Sequence, residues 1–251
     1  MFGQDSKPII AVVLGKGGLK SGLWLEKLAV FCKIFIIQIN AQGMAVFRTE
    51  FPGQEITEID GFIGDYRSLA RCPASFAEAV KIDPQGTVIT DKWDDFLCRI
   101  FIRAEWRDYL LGKEEGLMQK FQKKHKYLLM AFNPGIKNDM GRLAAAEEIY
   151  YDRYGELLKR ITRFPAKRGN QVNSIQHIFG YFSSEIREEE KKVFLNRLND
   201  FGEGQVEISE IRRGLKELCN KYPHSYIQAQ SFLEPFPPKL LLIKPEQSSR
   251  K

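Results

Sequence analysis

Sulfur and imidazole are scarce in this chain, with 4 cysteines and 3 histidines in 251 residues. Cys32, Cys72, Cys98 and Cys219 are scattered and form no CxxC pair. His125, His177 and His224 have no ligand spacing to one another or to a cysteine. A zinc site is therefore not expected, and the thiols read as reduced, small apolar groups. No apolar run is long enough to cross a bilayer. The opening "MFGQDSKPIIAVVLG" lacks the signal-peptide order of basic region, apolar stretch and small-residue cleavage site. A cytoplasmic protein without membrane contact is expected. The Gly-rich "GKGGLKSG" lacks the G-x-x-x-x-G-K-[ST] order of a phosphate loop, so no nucleotide site is assigned to it.

Large apolar residues are not lacking. At 43% hydrophobic and 28% charged residues, the composition is that of a globular chain rather than a disordered one. The net charge of +6 is unevenly spread. Residues 1–118 carry 14 Lys and Arg against 16 Asp and Glu, whereas residues 119–251 carry 24 against 16. A basic excess confined to one half points to a polyanionic partner, nucleic acid first. A solvated surface kept for solubility is the alternative.

The pattern predicts an α+β chain, a small N-terminal α/β domain followed by an all-α multi-helix domain. "PIIAVVL" (8–14) and the continuous "IFIIQI" (34–39) read as buried strands, with "LWLEKLAVFCK" (23–33) a helix between them. "DGFIGDY" (60–66) supplies a third short strand and "SFAEAVK" (75–81) a short helix. From Thr90 the chain turns helical. Helices are predicted over 91–111, capped at Thr90 or Asp91, and over 115–132. Asn133 caps the next, with Pro134 at its first position, and that helix runs on through "LAAAEEIYYDRYGELLKRIT". Further helices cover 187–201 and 209–222, the latter capped by Ser209. The tail "EPFPPKLLLIKP" is extended, because its prolines forbid helix. The expected division is 1–86, 87–245 and a disordered tail at 246–251.

The stretch "NQVNSIQHIFGYF" (170–182) carries no charge but much hydrogen-bonding capacity. On a helical wheel Val172, Ile175, Phe179 and Phe182 share one side. Asn173, Gln176, His177, Gly180 and Tyr181 share another. A mid-helix glycine costs about 1 kcal/mol against alanine, so Gly180 calls for either close packing or ligand access. Amides, imidazole and phenol read base edges, ribose hydroxyls and phosphate oxygens. Two basic clusters, "KFQKKHK" and "KRITRFPAKRG", flank this face in sequence, with aromatic residues interleaved. A buried polar network tying helices together is the competing account.

"HKYLLMAFNP…MGRLAAA", "RFPAKRGNQVNSIQHIFGYF" and "YIQAQSFLEPFPPKLLL" resemble the YbgA-like domain, a domain of unknown function, over Thr90 to Leu242. That domain occurs alone and also behind a thiouracil desulfurase (TudS) domain. The fused form resembles bacterial desulfidases that remove sulfur from 4-thiouridine in tRNA. There the helical domain is thought to hold the tRNA, and the TudS domain carries an iron–sulfur cluster on three cysteines. The N-terminal part here resembles a shortened TudS domain. Val12 stands where that family's first cysteine falls, and Ile37-Gln38-Ile39 replace its Cys-Pro-Glu. Cys72 lies one residue out of register from the third cysteine. With two of three thiolates absent, the resemblance implies no cluster, no cofactor and no desulfidation by this chain. In the helical half, Phe132 replaces a common histidine and Ile243 a common arginine.

The resulting expectation is a non-catalytic RNA-binding protein with tRNA as its partner. Lys123, Lys124, Lys126, Arg142, Arg163, Lys167 and Arg168 contact phosphates, and Asn173, Gln176, His177 and Tyr181 the RNA more specifically. His125 belongs to the same set. One rival is an enzyme in which His125, His177 and a carboxylate such as Glu147 perform acid–base work. Another is an assembly factor that docks on an active protein partner.

Overall fold

The computed structural model describes residues 7–14, 23–39, 45–49, 59–64, 80–82, 89–112 and 116–243. The glycine-rich stretch after the first strand, Cys72, residues 75–79 and residues 246–251 lie outside them. The fold is α+β, as the sequence pattern predicts. The chain forms two compact units. One comprises Met1–Asp108 with Phe236–Lys251, and the other Tyr109–Pro235.

In the first unit, β1 (Ile9–Leu14), β2 (Lys33–Ile39), β3 (Ala45–Thr49), β4 (Gly61–Ile63) and β5 (Val80–Ile82) form one sheet in the order β3-β2-β1-β4-β5. All neighbours are parallel except β2 and β3. Helix α1 (Leu23–Ala29) is shorter than its apolar pattern suggests, because chain turns occupy Val30–Cys32 before β2. Ile10, Ala11 and Val12 are fully buried, as expected for a central strand covered on both faces. Val12 pairs with Ile36 on one side and Ile63 on the other. Val80 and Lys81, expected at the end of a helix, belong instead to β5. The β-branched Val80 and Ile82 suit a strand at the sheet edge.

Asp60 is buried, and its carboxylate accepts from the Ile9 backbone N–H at 2.8 Å and from Arg107 at 3.0 Å. Arg107 also donates to the Lys7 carbonyl at 3.2 Å. A buried carboxylate survives only when paired in this way. It fixes the start of β1 to helix α2 (Ile89–Gly112). The chain's return to this unit is anchored on the same helix. Trp93 Nε1 donates to the Leu240 carbonyl at 3.0 Å, and the Phe101 and Phe236 rings lie 6.3 Å apart. Pro238–Leu242 forms a 3₁₀ turn rather than a fully extended tail. Proline can begin such a turn because it gives up only an N–H that would have no partner there.

The second unit is helical: α3 (Leu117–Phe132), α4 (Pro134–Ala144), α5 (Tyr151–Ile161), α6 (Arg168–Phe179) with a 3₁₀ turn at Gly180–Phe182, α7 (Glu188–Glu203), α8 (Ile208–Lys221) and the short α9 (Ser225–Gln228). Asn133 caps α4 as expected, its Oδ1 accepting from Ile136 N–H at 3.0 Å, with Pro134 at the first position. The long helix expected from 134 onward is broken at Ala145–Tyr150. "AAAEE" favours helix locally, but packing overrides that preference. Met140 and Ala144 are buried before the break, and Tyr154, Leu158 and Ile161 after it. Helix α8 starts one residue earlier than expected, after Glu207, with no side-chain cap from Ser209. Gln122 ties three helices together: its Nε2 donates to the Lys137 carbonyl at 3.1 Å, and its Oε1 accepts from the Tyr154 hydroxyl at 2.7 Å.

Candidate nucleic-acid interface

Helices α3 and α6 pack side by side and antiparallel. Near the start of α6, Asn170 Nδ2 donates to the Phe132 carbonyl at the end of α3, at 3.3 Å. This satisfies one of the carbonyls that a helix C-terminus leaves open. Beyond the other end of α6, Tyr127 donates to the hydroxyl of Tyr181 at 3.2 Å. Between these ties α6 buries Ser174, Ile175, Ile178 and Phe179. The apolar side read from the sequence is therefore the packed side, with Ile178 joining it and Val172 only half-buried.

The opposite side is wet. Asn173, Gln176, His177 and Gly180 are exposed and Tyr181 is half-buried. His177 makes no hydrogen bond among the described residues. A Cβ placed on Gly180 would meet nothing within 4 Å. The neutral polar stripe is thus a surface, not an internal network, and Gly180 opens space rather than admitting a neighbouring helix.

The charge around it is one-sided. No acidic residue occurs between Glu115 and Asp139, or between Glu156 and Glu185, so α3 and α6 contain no carboxylate at all. Lys123 and Lys167 are exposed and Lys124 and Lys126 half-exposed. Lys123, Lys126 and Lys167 have no ion pair among the described residues. Lys126 stands 5.3 Å from the Tyr127 ring centre. Lys137 on α4 is held below the ordinary lysine range by desolvation and by the neighbouring Lys126 ammonium. Two cations share this neighbourhood, which favours an anion there. Arg142 is well exposed and pairs with Asp139 one helical turn earlier.

Tyr181 belongs to an aromatic group that sequence reasoning did not assemble. Tyr226 lies 5.8 Å from it, His224 meets it edge-on at 4.9 Å, and Tyr127 lies 6.4 Å from Tyr226. The interleaving of Tyr with Lys in "KHKY" was the only local sign of it. Lys137 was likewise missed, since nothing in "GIKND" marks it.

Two expected contacts are corrected. His125 is 1% exposed, its Nδ1 2.7 Å from Ser231 Oγ and its ring 4.2 Å from that of Phe121. The same segment anchors on α3 through Gln230 Nε2, which donates to the Lys123 carbonyl at 2.9 Å, and through the Ser231 N–H to that of Lys124. His125 is therefore a core residue, closed off from solvent. Arg168 donates to the Phe201 carbonyl at 2.6 Å and lies over the Phe201 ring at 5.0 Å. It stabilises the negative end of α7. Gly204, whose φ of +84° suits glycine, follows α7 beside the Arg168 guanidinium.

Residues 126–237 match the family described as a protein of unknown function, DUF1722. The YbgA-like resemblance thus holds over the DUF1722 region, which includes most of the acid-free helix pair and all of the stripe. No curated protein and no solved structure matches the chain. Among the described residues no group of three or more His, Cys, Asp or Glu could hold a metal ion. No helix among them is long and apolar enough to cross a membrane. His125, one of the two histidines of the acid–base alternative, is buried, whereas His177 is exposed. A separate groove of about 310 Å³ lies between α7 and α8, where Val193, Phe194 and Leu218 stand among charges of both signs, Glu189, Glu190 and Glu217 against Arg197 and Lys221.

Proposed function

We propose that the DUF1722 region binds RNA, with tRNA as the partner, and that the chain is a non-catalytic RNA-binding protein. The observation that carries this reading is the exposed, uncharged hydrogen-bonding face of α6, set on a pair of helices without a single carboxylate. Lys123, Lys124, Lys126, Lys137 and Lys167 supply phosphate contacts, with Arg142 and Arg163 at the periphery. Asn173, Gln176, His177 and Tyr181 read sugar or base edges. The likeness of the N-terminal unit to a shortened TudS domain supports tRNA over other RNAs. Val12 at the presumed first cysteine position is a packed central-strand residue, and a valine there gives an iron–sulfur cluster no ligand.

Salt titration of tRNA binding tests the proposal. If about four to six phosphates are neutralised, affinity should fall by about two to three orders of magnitude over a fourfold rise in salt. Replacing Lys123 and Lys126 together by alanine should flatten the slope by about 1–2 and weaken all RNAs alike. No tRNA binding at low salt would reject the proposal and leave an assembly factor as the better reading.

A further inference from the structure

Phe164 lies in the connection between α5 and α6, and it is 69% exposed. Scattered exposed apolar residues are ordinary on a protein surface. The surroundings of this one are not. In "KRITRFPAKR" it is flanked in sequence by Lys159, Arg160, Arg163 and Lys167, with no acidic residue in the stretch. The Arg163 guanidinium stands 5.6 Å from the centre of the ring. The connection is held at its root, where Thr162 is fully buried and its hydroxyl donates to the Leu158 carbonyl at 2.6 Å. A following proline, here Pro165, disfavours the helical region for Phe164, and Lys167 is extended at ψ 134°. The ring is thus carried between two helices and packs into the core of neither.

We infer that Phe164 is a stacking platform for an unpaired nucleobase, a role that rests on the RNA-binding reading of the neighbouring stripe. An aromatic ring in a cationic setting accepts any base by its π-face, while Arg160 and Lys167, both exposed, meet the flanking phosphates. A lipid surface is the competing chemistry for an exposed phenylalanine among cations. It would need a broader apolar face, and in α5 the residues Tyr154, Leu158 and Ile161 are buried instead.

The experiment is a titration of the full chain with a short single-stranded oligoadenylate bearing 2-aminopurine, and with a blunt RNA duplex as control. Wild type, Phe164→Trp and Phe164→Tyr should change the probe's fluorescence and bind the single strand comparably. Phe164→Leu and Phe164→Ala should abolish that change and weaken single-strand binding about 5- to 100-fold, leaving duplex binding unaltered. Phe164→Leu keeps an apolar side chain, so it separates stacking from simple burial, and thermal melts verify that each variant folds. If all variants bind the single strand equally, Phe164 is no platform although RNA binding stands. If wild type binds neither oligonucleotide nor tRNA at low salt, both proposals fall. Loss of co-sedimentation with phosphatidylserine vesicles in Phe164→Ala, with RNA binding intact, assigns the residue to lipid and overturns the inference.

Discussion

The phenol of Tyr127 donates to the phenol of Tyr181 across 3.2 Å, linking the core of α3 to the end of the polar stripe. Tyr127 is 2% exposed, whereas Tyr181 is half-buried. Burial first, and then the hydrogen bond to Tyr181 with the neighbouring Tyr181 and Tyr226 phenols, pushes Tyr127 far above the usual phenol range. The folded-state value is raised, so this contribution to stability is fully present below the unfolded phenol value near about 10 and is lost as pH rises above it. Tyr127→Phe should cost about 1 kcal/mol at neutral pH, through the lost hydrogen bond. It should also lose less stability than wild type on alkalinisation. Thermal melts of both proteins at neutral pH and about one unit above pH 10 test this. Parallel losses would show that Tyr127 does not govern the alkaline limb.

What was legible in the sequence was what is local. The Asn133–Pro134 cap, the strands around Val12 and Ile36, and the two-sided character of α6 all follow from short-range pattern, and all are present. Residues whose roles depend on distant partners were misplaced. His125 reads like its lysine neighbours, but Ser231, 106 residues away, makes it core. Arg168 reads as one more cation in a basic run, until Phe201 and the end of α7 claim it. The Tyr127–Tyr181–Tyr226 group draws on three separated segments, and no spacing rule could have joined them. The break at Ala145 illustrates the same limit, since a strong local preference for helix gave way to packing on both sides of it.

Gly61 records a close approach within the first unit. A Cβ at this position would stand 2.7 Å from Ile100 Cγ2 and 2.8 Å from Phe96 Cζ, inside any permissible contact. Both neighbours are buried on α2 and cannot swing into solvent. Gly61→Ala should therefore destabilise the unit by about 1–3 kcal/mol, the usual cost of overpacking. Urea unfolding followed by tryptophan fluorescence reads this directly, because Trp24 and Trp93 are in that unit. An unchanged midpoint would mean that β4 and α2 are not so closely packed.

Glu190 joins α7 to the end of α8. Its carboxylate accepts from Lys221, from Arg187 Nε at 3.1 Å and from the Tyr222 hydroxyl at 2.7 Å. The hydrogen bond from Lys221, followed by those from Arg187 and Tyr222, brings its pKa down from 4.5 to about 2. A depressed carboxylate stabilises the fold above its unfolded value and loses that contribution as pH falls through the folded one. Wild type should therefore lose stability between about pH 5 and pH 2, and Glu190→Gln should lose less over the same window. Chemical denaturation across that range is the measurement. Superimposable acid limbs would mean that water screens this group fully.

Gly180 separates stability from binding most cleanly. Its backbone is helical, with φ −55° and ψ −25°, so glycine's conformational freedom is not required there. No atom stands within 4 Å of where a Cβ would sit. Gly180→Ala should then stabilise the protein by about 0.4–1 kcal/mol, by reducing the freedom of the unfolded chain. Gly180→Leu should fold equally well but place a bulky side chain on the stripe beside His177 and Tyr181. Asn173→Ala and His177→Ala, both exposed, should leave stability within about 0.5 kcal/mol while weakening RNA binding. The decisive comparison is Gly180→Ala against Gly180→Leu in paired melts and tRNA titrations. A ligand face requires that leucine impair binding more than alanine does, with both variants melting at or above the wild-type temperature. If leucine lowers the melting temperature, a neighbouring element needs that space. If it changes neither quantity, the opening at Gly180 lies off the path of the RNA.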